Sequence, residues 1–276
     1  MMFEEKVLLV VRDGWGYSEE EKGNAVFLAD TPNNDYYLEN YPWTLIKCTG
    51  NAVGLPQGTQ GGSEPGHLTM GAGRIVWQPY EKINRSIRDG TFYEKEEFLN
   101  ALDYCRETGG KLHLAGLFSD QGIHGTVEHL YALLELCRRA DFEKVFIHCF
   151  LDGRDVPERS AKKFFHQTNK VIEEKGVGRY ASLVGRFYAM DRDNNWNRIK
   201  KAYDLLTLGE AKETFDPINA LERAYSENED ITDYYIEPFV IVEEPGEPIA
   251  LLEDGDSFIL WNFRSDRARQ ITYALT

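Results

Sequence analysis

Along most of this chain, short apolar runs alternate with stretches whose apolar residues recur at helical spacing. Val7-Leu8-Leu9-Val10-Val11 is continuously apolar and rich in β-branched residues, the pattern of a strand buried on both faces. Residues 43–48 read as a second strand, and the polar stretch 23–41 between them predicts one helix and a loop around Thr31-Pro32-Asn33. From Gly54 to Gly73 the periodicity is lost and glycine dominates. Pro79 then opens a helix with Tyr80, Ile83 and Ile87 at helical spacing, closed by Gly90. Beyond it, the pattern predicts strands over 111–118, 144–151, 179–184, 239–242 and 257–261. Helices alternate with them, over 127–140, around Phe164 to Ile172 as far as Gly176, over 195–208, and from Asp216-Pro217 through Tyr225.

Strands alternating with helices of this length predict an α/β fold of mainly parallel sheets flanked by helices, built from right-handed βαβ units. The change of character after Arg74 puts a domain boundary near Gln78, between a segment 1–77 and a domain 78–276, and 276 residues suffice for one or two domains. A net charge of -15 argues against a nucleic-acid or anionic-membrane binder. Any anionic ligand must then meet a local basic pocket. Cys48, Cys105, Cys137 and Cys149 form no C-x-x-C pair and read as reduced and mostly buried. No apolar run approaches the roughly 18 residues needed to span a bilayer, and no signal-peptide h-region precedes Val7, so the cytoplasm is the expected compartment.

The chemistry gathers where strands end. The run 7–11 leads to Asp13-Gly14, which suits a metal or ligand at the carboxyl edge of a sheet or, alternatively, a simple turn. The later strands lead in turn to His124, to Asp152-Gly153-Arg154-Asp155, to Gly185-Arg186 with Asp191-Arg192, and to Asn262-Phe263-Arg264-Ser265-Asp266-Arg267. A parallel sheet places those ends on one edge. The arginines then surround a crevice fit for a small, multiply charged anion, although any single one can instead pair with Asp155, Asp191, Asp193 or Asp266. Ser63 follows Gly61-Gly62 at a predicted helix N-terminus, where free amides and the helix dipole favour an anion beside the hydroxyl. That suits a phosphoryl acceptor; a glycine-rich turn with a capping serine is the other reading.

Taken together, several segments resemble the cofactor-independent (2,3-bisphosphoglycerate-independent) phosphoglycerate mutases. They are Asp13-Gly14-Trp15-Gly16, Gly23-Asn24-Ala25, Thr31-Pro32-Asn33, Ser63 to His67, Gly71-Ala72-Gly73-Arg74, Asp152 to Asp155, Gly185 to Arg192, and Asn262 through Arg269. The resemblance implies that 1–77 begins a discontinuous, alkaline-phosphatase-like metal-binding domain, and that 78–276 is an inserted substrate-binding transferase domain lacking its last part. It implies that Ser63 is the nucleophile that becomes phosphoserine, and that Asp13 and Ser63 are ligands of one of two Mn2+ ions. His124, Arg154, Asp155, Arg186, Arg192, Arg264 and Arg267 would hold 3-phosphoglycerate or 2-phosphoglycerate. Gly62, Pro65 and Arg12 stand where the family usually has Asn, Val and an apolar residue. The family's later cluster of Asp and His metal ligands has no counterpart, since no Asp-His dipeptide occurs before Thr276. The expected protein is a glycolytic phosphoglycerate mutase, otherwise a monomer, of which this is the amino-terminal part, with a missing carboxyl-terminal half as its partner. A stand-alone phosphoglycerate-binding module without turnover, or another phosphomutase or phosphatase of the alkaline-phosphatase type, remain the alternatives.

Overall fold

The computed structural model describes residues 7–276 and divides the chain into two compact units, Met1–Glu81 and Lys82–Thr276. In the first unit, α1 (Ala25–Leu28) and α2 (Pro32–Asn40) replace the single expected helix. Thr31-Pro32 is a helix start rather than a loop, because proline's missing N–H and fixed φ suit the first helical turn. Then comes α3 (Ser63–Ala72); α4 (Pro79–Asp89) begins at the end of this unit and belongs mostly to the second. The strands expected at 7–11 and 43–48 do not form. A strand needs a neighbour for its N–H and C=O groups, and among the described residues neither run has one. Both stay open, with Val7 92% and Ile46 73% exposed.

The second unit matches the α/β pattern closely. After α5 (Glu96–Thr108) come β1 (Leu112–Phe118), α6 (Val127–Arg139), β2 (Val145–Leu151), α7 (Ala161–Lys175), β3 (Arg179–Gly185) and the single turn α8 (Arg186–Ala189). The chain continues through α9 (Trp196–Leu208), β4 (Lys212–Thr214), α10 (Pro217–Glu227), β5 (Phe239–Glu244), β6 (Glu247–Pro248), β7 (Ser257–Leu260) and α11 (Arg269–Leu275). The strands lie in the order β4-β5-β3-β2-β1-β7, with β6 on β5. β1 is parallel to β2 and β7, β2 to β3, and β4 to β5; β5 runs antiparallel to β3.

β1 and β2 are buried along their whole length because helices cover both faces of the sheet. Leu112, Leu114 and Phe118 pack among Leu130, Leu134, Phe164 and Phe165 of α6 and α7. Ala115 and Leu117, pointing the other way, meet Ile199, Leu205 and Leu206 of α9 and Ile271 of α11. Cys105, Cys137 and Cys149 are free and buried in this unit, and Cys48 is free and exposed in the first.

A buried polar chain crosses the middle of the sheet. His113 Nε2 lies 3.0 Å from the Asp256 carboxylate, which can only accept, so its Nδ1 accepts from His148 Nε2–H at 2.8 Å. His148 Nδ1 in turn accepts from the Ser182 hydroxyl at 2.7 Å. Burial lowers the pKa of both histidines, offset for His113 by Asp256 and reinforced for His148 by His113. Burial likewise brings His129 down to about 4. A histidine held neutral in the fold but free to bind a proton near 6.5 when unfolded supports stability fully above that pH. Its contribution is lost as pH falls toward the folded value. For a folded pKa of about 4 the loss at pH 5 is about 2 kcal/mol. The melting temperature should therefore fall between pH 7 and pH 5, above the range in which ordinary carboxylates titrate; a flat profile across that window would contradict this account of the buried histidines.

Candidate functional site

Ser63 is the first residue of α3, behind Gly62 in extended conformation. Its hydroxyl donates to Asp13 Oδ2 at 2.6 Å, and His67 Nδ1–H donates to the Ser63 carbonyl at 2.7 Å. Gly61 has a structural reason of its own: a Cβ there would fall 1.8 Å from the Cys48 carbonyl oxygen. Gly62, by contrast, is open, with only the Pro65 ring near 4 Å. Asp13 and Ser63, separated by fifty positions, thus share a hydrogen bond on an exposed face of the first unit.

The other expected residues collect in the second unit at the carboxyl ends of β1, β2, β3 and β7. Arg186 directly follows β3 and is 1% exposed. One of its terminal nitrogens donates to Asp152 Oδ1 and, at 2.6 Å, to Asp155 Oδ2. Asp152 Oδ1 also accepts from the backbone N–H groups of Arg154 and Asp155, a local turn that aims the Asp-Gly-Arg-Asp segment. Arg267 is buried and donates to the Met190 carbonyl at 2.9 Å. Arg192 and Arg264, both exposed, pair with Asp266 at 2.9 and 3.0 Å. His124 is buried 3.7 Å from the same carboxylate, and the loop carrying it is fixed because a Cβ at Gly125 would lie 2.5 Å from Asn262 Oδ1. Asp191 pairs instead with Arg198 at 3.1 Å.

Three donors or ring nitrogens of this cluster are buried without a hydrogen-bond partner: Arg186 Nε, Arg267 Nε and His124 Nδ1. Buried polar atoms are seldom left so, and a ligand's oxygens would satisfy them. Burial, then Arg186 and Arg264, push the His124 pKa down to about 4 against the opposing pull of Asp266. Burial, followed by Arg186 and Arg192, also lowers that of Arg267. Positive charge is thus crowded on this edge. A cavity of about 480 Å³ lies before β7, lined by Tyr203, Thr207, Glu253, Asp254 and Asp256 without any arginine or lysine, so it offers nothing to an anion.

Residues 83–276 match the family described as BPG-independent PGAM N-terminus (iPGM_N). The chain belongs to that family. It is 46% identical over 269 residues to 2,3-bisphosphoglycerate-independent phosphoglycerate mutase 1 of Methanosarcina barkeri, covering 97% of this chain and 52% of that one. It is 45% identical over 275 residues to the mutase of Acetivibrio thermocellus, covering 100% of this chain and 53% of the relative. A crystal structure of the Leishmania mexicana phosphoglycerate mutase at low cobalt concentration superposes with a TM-score of 0.71 at 31% identity, over 94% of this chain and 49% of that one. The chain spans about half the length of the curated relatives it matches.

Within this member of the mutase N-terminal family, Asp152 and Asp266 stand outside the expected substrate-holding set, Asp266 having been expected only as a salt-bridge partner of the arginines. Asp152 was signalled by its place at the head of an Asp-x-x turn, whereas Asp266 gains its part only by bridging Arg192 and Arg264 across the fold. The crowding makes a checkable statement about His124. Its ring should stay neutral in the free chain from pH 8 to about pH 5, and an added anion should raise its pKa. NMR titration of the ring protons tests this; a midpoint near 6.5 in the free chain would contradict it.

Proposed function

We propose that this chain carries the substrate-holding residues and the phosphoryl-accepting serine of an enzyme that interconverts 3-phosphoglycerate and 2-phosphoglycerate, a glycolytic reaction of the cytoplasm. The observation that carries this reading is the set of buried, unpartnered nitrogens on Arg186, Arg267 and His124 within an arginine cluster of a strongly acidic chain. The names of the relatives point the same way. Arg154, Arg192 and Arg264, being exposed, supply charge at the rim, and Asp155 steadies Arg186.

Ser63 is the phosphoryl acceptor in this reading. As its Oγ forms the bond to phosphorus, the bond between phosphorus and the C3 oxygen breaks; the hydroxyl proton passes to Asp13, its hydrogen-bond partner, and the departing glycerate oxygen takes a proton from water. The arginines hold the glycerate while it turns, and attack by its 2-hydroxyl on phosphoserine, with the proton movements reversed, releases 2-phosphoglycerate.

The Leishmania enzyme was crystallised with cobalt, which favours divalent-metal chemistry here too. Among the described residues no group of three or more His, Cys, Asp or Glu side chains is placed to hold a metal. Asp13 and Ser63 offer only two side chains as ligands, too few to hold a divalent ion firmly. They fit as part of a ligand set shared with further residues of a longer protein, where two Mn2+ ions would shield phosphoryl oxygens. The exposed apolar runs 7–11 and 43–48 support a partner surface on the first unit for such a carboxyl-terminal half.

Calorimetry with 3-phosphoglycerate tests the reading. Arg264→Ala should weaken binding to this chain by about 1.5–3 kcal/mol, the worth of a charge-assisted hydrogen bond, while Ser63→Ala leaves it unchanged. Supplied with the carboxyl-terminal half of a relative, the chain should interconvert the two phosphoglycerates and lose that activity as Ser63→Ala. Unaltered affinity in Arg264→Ala, or mutase activity surviving Ser63→Ala, would overturn it.

A further inference from the structure

The helical turn Asp233–Tyr235 sits against the arginine crevice, although nothing in the periodicity around it marks it out. Its backbone lies directly on the two glycines that precede Arg154 and Arg186. A Cβ at Gly153 would fall 2.6 Å from Tyr234 N, and one at Gly185 would fall 2.3 Å from Tyr234 O. The Gly185 N–H donates to the Ile236 carbonyl at 2.7 Å, and the Asp233 N–H to Glu158 O at 2.8 Å. Only glycine at those strand ends permits so close an approach.

The turn is also anchored from below. Asp233 is 1% exposed, and its carboxylate accepts from the backbone N–H groups of Ser160 and Ala161, both at 2.8 Å, at the start of α7. It accepts as well from the Tyr225 hydroxyl. Tyr234 is thereby held in one place, its ring braced by Phe187 and Tyr235 with centroids 5.8 and 4.6 Å away. The Arg154 guanidinium stands 5.9 Å from the Tyr234 ring centroid. The half-buried Tyr234 thus stands beside Arg154, on the turn packed against the glycines that precede Arg154 and Arg186.

We infer that Tyr234 is a further ligand-binding residue of the crevice, its hydroxyl donating to an oxyanion oxygen of the bound phosphoglycerate while its ring braces Arg154. A phenol on a rigid turn adds a directional neutral donor to a set of charged ones, which selects for an oxygen at one position rather than for charge alone. This inference rests on the reading of the crevice as a phosphoglycerate site.

Titration of 3-phosphoglycerate into the chain and into Tyr234→Phe and Tyr235→Phe, with melting temperatures for each, tests it. Tyr234→Phe should bind about tenfold more weakly, the worth of one hydrogen bond to a charged group, at an unchanged melting temperature. The exposed Tyr235→Phe should bind like the parent. Equal affinity in the parent and Tyr234→Phe, or equal losses in both variants, would overturn the role of Tyr234 while leaving the crevice reading intact. A parent chain that does not bind 3-phosphoglycerate would instead overturn the crevice reading itself, and the role of Tyr234 with it.

Discussion

The carboxyl edge of the sheet depends on one buried interaction, the Arg186 guanidinium held between Asp152 and Asp155. A full charge at 1% exposure is tolerable only because two carboxylates meet it, and removing one partner of such a pair typically costs about 3–5 kcal/mol. The pair ties the end of β2 to the end of β3. One terminal nitrogen serves both aspartates, and Nε is buried and unpartnered. In the proposed reading that Nε is the donor offered to the ligand.

Around that pair, topology does the gathering. Because β1, β2, β3 and β7 run in one direction, residues far apart in sequence converge on one edge, and a chain of net charge -15 concentrates positive charge there. Repulsion among the arginines is moderated by Asp266, which pairs with Arg192 and Arg264 at the exposed rim. His124, pressed neutral by burial and by Arg186, adds a ring nitrogen without adding charge. At the opposite edge Glu253 and Asp256 meet Lys111 at 2.7 and 3.7 Å, so the charges there are paired.

How far the sequence could be read follows from where each signal resides. The continuously apolar runs at β1 and β2 and the capped amphipathic helices announced themselves, since burial on both faces and Asp216 or Gly176 at helix ends leave local marks. Helix α5 buries only Leu102 and Cys105 in full and showed little, and α11 and the three-residue β4 gain their form from packing rather than pattern. The run 7–11 looked like a strand by composition, but pairing is a property of neighbours, and among the described residues it has none. At the crevice the arginines were legible as strand-end residues. Asp266 was legible as a salt-bridge partner, but its reach to Arg192 was not, nor was the seating of Tyr234, because both arise from contacts between loops far apart in the chain.

If the unpartnered nitrogens of the arginine cluster receive an anionic ligand, a crystal of the chain soaked with 3-phosphoglycerate will show it. Density for the ligand is expected at the carboxyl edge of the sheet, with its oxygens in hydrogen-bond reach of Arg186 Nε, Arg267 Nε and His124 Nδ1. Ligand density elsewhere, or a bound ligand that leaves those three atoms without partners, would contradict it.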